Sequence, residues 1–202
     1  MTGRGDPASA RGTARRVGTW LGVAALAVSF AGIAVAVVLA PWFSPTANAL
    51  SDLGVRGQAS APAFNYGLIA GGALGVGFAA RLWPDAPGRV GRAGVGVLAA
   101  SFLSLALIGA FPTPHPYHFP VAAGFYALFT YGLFLYGSAG ALAGRVRAGL
   151  LAVWLGIAHA TAWIGWAVAG TEGLAIPETV GALLLGVWVV VMTRRLRDTE
   201  AG

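Results

Sequence analysis

The sequence predicts an all-α fold: a polytopic membrane bundle of six transmembrane helices, both termini cytoplasmic, with a short interfacial helix in the first outer loop. Three observations carry this. The chain is 57% hydrophobic and 10% charged, where a water-soluble domain has about 25% charged residues. Six apolar runs, at roughly 17–43, 62–83, 93–111, 120–143, 148–169 and 179–193, reach or approach the ~20 residues that cross hydrocarbon. The third observation is where the arginines fall.

All 13 basic residues are Arg. Arg4, Arg11, Arg15 and Arg16 precede the first run. Arg81, Arg89 and Arg92 separate runs two and three, Arg145 and Arg147 separate four and five, and Arg194, Arg195 and Arg197 follow the sixth. Only Arg56 lies in an odd-numbered connection. By the positive-inside bias the termini and even connections are cytoplasmic, in a cell (plasma) membrane. The net charge of +6 is thus a topology signal, with attraction to anionic headgroups secondary. A nucleic-acid partner is not expected; the bilayer is.

Lipid offers the backbone no hydrogen-bond partner, so each run is a helix rather than an open strand. Residues 1–16 form a basic tail, rich in Gly, Ala, Arg and Pro and expected to be disordered. Residues 17–195 form the membrane domain and 196–202 a C-terminal tail. Run one resembles a signal peptide, with Arg15-Arg16 before it and Ala47-Asn48-Ala49 after it. It exceeds the ~7–15 apolar residues of a signal core, which favours a retained span.

Run two carries Gly67, Gly71 and Gly75 on one helical face, a spacing that lets backbones approach closely. Packing within the bundle is the first reading, and a homo-oligomer through that face is the alternative. The connections PDAPGRVGR (84–92) and GRVR (144–147) are short and basic, and the second makes runs four and five an antiparallel hairpin. Trp20, Trp42 and Trp83 fall near span ends, where indoles favour the interface.

Three outer connections collect the unusual chemistry. In the first, Ser44-Pro45 reads as a helix start and Gly54 as a stop, so 45–53 is expected as a short helix. Asp52 would then lie in its last turn, against the helix dipole, and need Arg56, His118 or a cation beside it. The second, PTPHPYHFP, favours extended polyproline backbone. His115 and His118 would be about 9 Å apart along such a helix, so they can share one zinc ion only if a turn replaces the extended form; a hydrogen bond to backbone or to a carboxylate is the favoured reading. The third holds Glu172 and Glu178. Glu178 opens the sixth span, where a first-turn acid suits the positive helix end or could partner Arg56 or His118.

His159 lies mid-span, where the loop histidines reach it only if their loop plunges deep into the bundle. An ionisable group at that depth is a functional candidate. The competing reading is a neutral ring hydrogen-bonded to Ser101, Ser104 or Thr130.

The string FSPTANALSDLG (Phe43–Gly54), followed by Phe64-Asn65, GAFP (Gly109–Pro112), His118 and Ile176-Pro177-Glu178, is similar to the prokaryotic integral membrane family catalogued as domain of unknown function 998. The resemblance covers about 17–195 and implies the six-span layout of archaeal and bacterial members. It picks out Asn48, Ser51, Asp52, Asn65, His118 and Glu178 as motif positions. It implies no activity, and His115 and His159 are not matched positions.

The reading favoured is an outer polar pocket of Asn48, Ser51, Asp52, Asn65, His118 and Glu178, with Arg56, His115 and His159 as accessory groups. It would bind an ion, a small solute or a lipid headgroup, in a transport or binding role. Two alternatives stand: a non-catalytic scaffold or assembly protein, and a zinc-dependent intramembrane lipid hydrolase. No catalytic residue, metal or cofactor is assigned. Cysteine is absent, which excludes disulfides and thiolate sites, and neither a phosphate-binding P-loop nor a Gly-x-Ser-x-Gly elbow is present.

Overall fold

The computed structural model describes residues 7–201. Six long helices dominate it: α1 (Pro7–Val38), α2 (Ala61–Leu82), α3 (Gly88–Ala110), α4 (His118–Leu142), α5 (Val146–Ala169) and α6 (Ala175–Ala201). All six are long and apolar enough to cross a membrane, and among the described residues there is no strand. The chain is a multi-pass membrane protein.

Consecutive helices pack as antiparallel neighbours, and α6 closes the bundle by lying against both α5 and α1. Thr19 of α1 donates to Glu200 of α6 at 2.8 Å, so the start of α1 and the end of α6 share one end, here the terminal end. The α1–α2, α3–α4 and α5–α6 connections lie at the opposite, loop end.

Several boundaries differ from those expected. Helix α1 begins at Pro7, within the expected tail, and ends at Val38 instead of running to residue 43. Pro41 and Pro45 disfavour helical backbone in the residues before them, and turns fill the gap. The remainder of the tail, residues 1–6, lies outside the described residues. Helix α6 extends through Ala201, well past the apolar run, because Arg194, Arg195 and Arg197 are good helix formers.

Small residues set the spacing of the helices. A Cβ at Gly72 would meet Ala106 N of α3 at 2.5 Å and Phe102 O at 2.6 Å. At Gly67 it would meet Gly32 Cα of α1 at 3.0 Å, and at Gly75 the Phe102 ring. The Gly67/Gly71/Gly75 face is therefore covered by α1 and α3 of the same chain. The α4–α5 hairpin turns at Gly144, whose φ of 83° is easy only for glycine. A Cβ at Gly137 would meet Gly149 O across the pair at 2.7 Å. Near the other end of the pair, Phe119, Tyr126, Trp163 and Trp166 line an open groove between α4 and α5.

The core is apolar and aromatic. Trp188 sits edge-on to Phe78 and Tyr136, with centroids 6.2 and 5.9 Å away. Leu142, Val168 and Phe119 are exposed, as lipid-facing residues should be. Trp20, Trp42 and Trp83 are also exposed.

Candidate functional site

The first connection does not form the expected helix over 45–53. Turns cover residues 41–42 and 45–47, and a single 3-10 helix, η1, follows at Leu50–Gly54. Asp52 therefore belongs to the first turn of η1 rather than to a last turn. Its Oδ2 accepts the Ala49 N–H at 2.9 Å, so the carboxylate satisfies a free amide at the positive helix end. The unfavourable dipole contact expected from the sequence does not exist. The sequence misled because Ser44-Pro45 resembles a helix start. Instead Ser44 N donates to Asn48 Oδ1 at 2.8 Å, closing a local turn.

Helix α6 holds η1 in place. The Leu50 N–H donates to Glu178 Oε2 at 2.5 Å. Next to it, Ala175 N donates to Asn48 O at 2.9 Å and Gly173 N to Thr46 O at 3.0 Å. Pro177 supplies no N–H, which suits the first turn of a helix. Glu178 is only 6% exposed. Among the described residues it forms no ion pair, and the charge nearest in effect is the like-charged Asp52.

Asn65 secures η1 from α2, its Nδ2 donating to Gly54 O at 2.8 Å. That bond fixes the amide orientation and leaves Oδ1 buried without a partner. Ser60 adds a hydroxyl bond to Leu53 O at 2.8 Å.

Below η1 lies a cavity of about 60 Å³ between α1, α2, α3, α4 and α6. Water needs about 10–15 Å³ of such space, so a few waters or a small group would fit. Its walls are mostly apolar, including Phe64, Phe102 and Phe125. The polar groups at its walls are Ser29, Ser51, Tyr126 and Glu178. Ser29 and Tyr126 were not anticipated. Each is one of several hydroxyls in an apolar helix, and nothing in its local sequence separates it from a lipid-facing residue.

The second connection stands apart. Instead of extended polyproline it forms two successive turns, with His115 N donating to Pro112 O and His118 N to His115 O, each at 2.9 Å. The histidines nevertheless do not pair. His118 Nδ1 lies 2.9 Å from Phe111 O. His115 stacks on the Phe111 ring at 4.7 Å and accepts the Tyr117 N–H at 3.2 Å. Neither meets Asp52 or Glu178, and Arg56 is exposed without an ion pair among the described residues. No three His, Asp or Glu side chains converge as a metal site among the described residues.

His159 is fully buried, and its proton can be placed by counting donors. Trp163 Nε1 can only donate, and it reaches His159 Nε2 at 3.0 Å, so Nε2 is the acceptor. Nδ1 must then carry the hydrogen and donate it to Thr130 Oγ1 at 2.6 Å. Thr130 in turn donates to Tyr126 O at 3.0 Å. Every donor in this chain is used once, and the imidazole is neutral. Of the partners considered from sequence, Thr130 is the one it meets; Ser101 instead donates to Phe125 O. His159, Trp163 and Tyr126 line the groove between α4 and α5, and Glu178 lines both that groove and the central cavity.

Residues 10–195 match a family model described as Protein of unknown function (DUF998). No curated protein matches, and neither does any solved structure.

Proposed function

The chain belongs to the DUF998 family, whose description carries no activity, and from its own geometry we propose a ligand-binding membrane protein whose site is the cavity under η1. The ligand is a small ion or solute, or the head of an amphiphile, that brings positive charge or hydrogen-bond donors to Glu178. The loop end faces out of the cell across the plasma membrane, and both termini are cytoplasmic.

One observation carries this reading. Glu178 is a nearly buried carboxylate with a single backbone donor, no cationic partner among the described residues and the like-charged Asp52 nearby. Burying an uncompensated charge costs several kcal/mol, and such a group in a membrane domain marks a functional site by default. Ser29, Ser51 and Tyr126 add hydroxyls to the same cavity.

Unfolding of purified protein, with and without monovalent cations and small amines, tests the idea. A stabilising compound that protects the wild type but not Glu178→Gln supports it. If none distinguishes the two proteins, Glu178 is only a fastening for η1.

A second reading has its own support. Asp52, Asn65 and His118 each engage nearby backbone, as residues of a non-catalytic scaffold would. The zinc hydrolase has none, since His159 is committed to Thr130 and Trp163 and the loop histidines lie apart.

A further inference from the structure

At the terminal end, four segments bring arginines to one recess. Arg81, in the last turn of α2, is buried and spans two carboxylates: Asp85 Oδ2 at 2.5 Å and Glu200 Oε1 at 2.9 Å. Arg15 of α1 lies 3.5 Å from Asp85 Oδ1. Arg145, in the α4–α5 turn, directs Nη1 to the Asp85 carbonyl at 2.7 Å rather than to a carboxylate. Arg195 of α6 faces the Tyr136 hydroxyl. Arg145 and Arg195 form no ion pair among the described residues. Four guanidinium groups thus face two carboxylates, and Arg15, Arg145, Arg195, Tyr136 and Thr199, with the single carboxylate of Asp85, border a cavity of about 100 Å³.

Membrane topology does not explain this convergence. A positive-inside bias needs arginines near the span ends, in water. Arg147, Arg194 and Arg197 meet that need on the same helices and are exposed. Arg145 and Arg195 are instead half-buried and turned towards a shared space with excess positive charge. Planar guanidinium forks suit the oxygens of a phosphate group, and the Tyr136 hydroxyl adds a further donor.

We infer that this recess is a phosphate-binding site, distinct from the cavity under η1 and at the opposite end of the bundle. The phosphate is either that of an anionic lipid headgroup or a free one. Asp85 is the counterweight that holds Arg15, Arg81 and Arg145 in position when the site is empty.

The test uses the full chain in a maltoside detergent, which contains no phosphate. Its unfolding midpoint is measured with inorganic phosphate, with phosphatidylglycerol, and with sodium chloride at matched ionic strength. The wild type should gain about 5 °C at ligand near a hundred times its Kd. A gain with inorganic phosphate identifies a free-phosphate site; a gain with phosphatidylglycerol alone identifies a lipid site. Arg195→Gln and Arg145→Gln should abolish the gain, and Arg147→Gln should keep it. Arg195→Gln leaves the Asp85 contacts intact, so it decides the matter if Arg145→Gln fails to fold. No gain from either phosphate, an equal gain from chloride, or equal losses in Arg147→Gln and Arg195→Gln would overturn the inference.

Discussion

The Leu50 amide and the Glu178 carboxylate, 128 residues apart in sequence, are joined by a hydrogen bond of 2.5 Å. It fastens the η1 connection onto the first turn of α6. Two roles meet in Glu178, and two substitutions separate them. Glu178→Gln keeps an oxygen to accept the Leu50 N–H and removes the ionisable carboxyl group, so stability should hold within about 1 kcal/mol. Glu178→Ala removes the acceptor and should cost about 1–3 kcal/mol. Chemical denaturation of both variants in detergent checks this; equal losses would mean that the hydrogen bond contributes little.

Asp52 should behave as a cap. Asp52→Ala frees the Ala49 amide and should cost about 1 kcal/mol. Asp52→Asn retains an acceptor and should cost only a few tenths. Hydrogen exchange at the Ala49 amide should quicken in the first variant and change little in the second. Equal exchange rates in both variants and the wild type would rule the cap out.

Thr130, His159 and Trp163 share one chain of hydrogen bonds, so their substitutions should not add. Thr130→Val leaves the Nδ1 hydrogen without an acceptor, and His159→Leu removes the ring altogether. The double variant should be more stable than the two single losses predict, by about 0.6–1.7 kcal/mol, the scale of hydrogen bonds between membrane helices. A double-mutant cycle on unfolding free energies measures this coupling. Strict additivity would mean that Thr130 and His159 do not interact.

Two glycines should respond in opposite directions. At Gly72 a methyl group would meet backbone of α3, which has no rotamer by which to yield, so Gly72→Ala should cost about 1–3 kcal/mol. A Cβ at Gly165 of α5 would have nothing within 4 Å. Gly165→Ala should be neutral or stabilise by up to about 1 kcal/mol. Thermal unfolding of the pair tests whether glycine sets the α2–α3 distance.

Orientation can be read by labelling, because the chain has no cysteine. Gln58→Cys lies at the loop end, and Ala143→Cys lies in the α4–α5 turn at the terminal end. A membrane-impermeant maleimide added to intact cells should label the first and reach the second only after permeabilisation. The reverse pattern would invert the proposed topology.

The sequence alone determined that six apolar segments form helices, because backbone amides in hydrocarbon have no partner but each other. It also determined which connections group together, since an even number of crossings returns the chain to its starting end. Tertiary structure decided which polar groups meet. Asp52 changed from last-turn liability to first-turn cap once the helix start moved from Ser44-Pro45 to Leu50, a difference of a few residues that reverses the sign of the dipole contact. The histidines of the second connection lie at the correct end yet bond within their own turns. Ser29 and Tyr126 joined Glu178 around one cavity without any local signal, because a hydroxyl in a uniformly apolar helix does not reveal which way it faces. Regular structure follows from short-range hydrogen-bond demand, which the sequence carries; a pocket depends on helix rotation and spacing, which arise only when glycine and aromatic faces pack together.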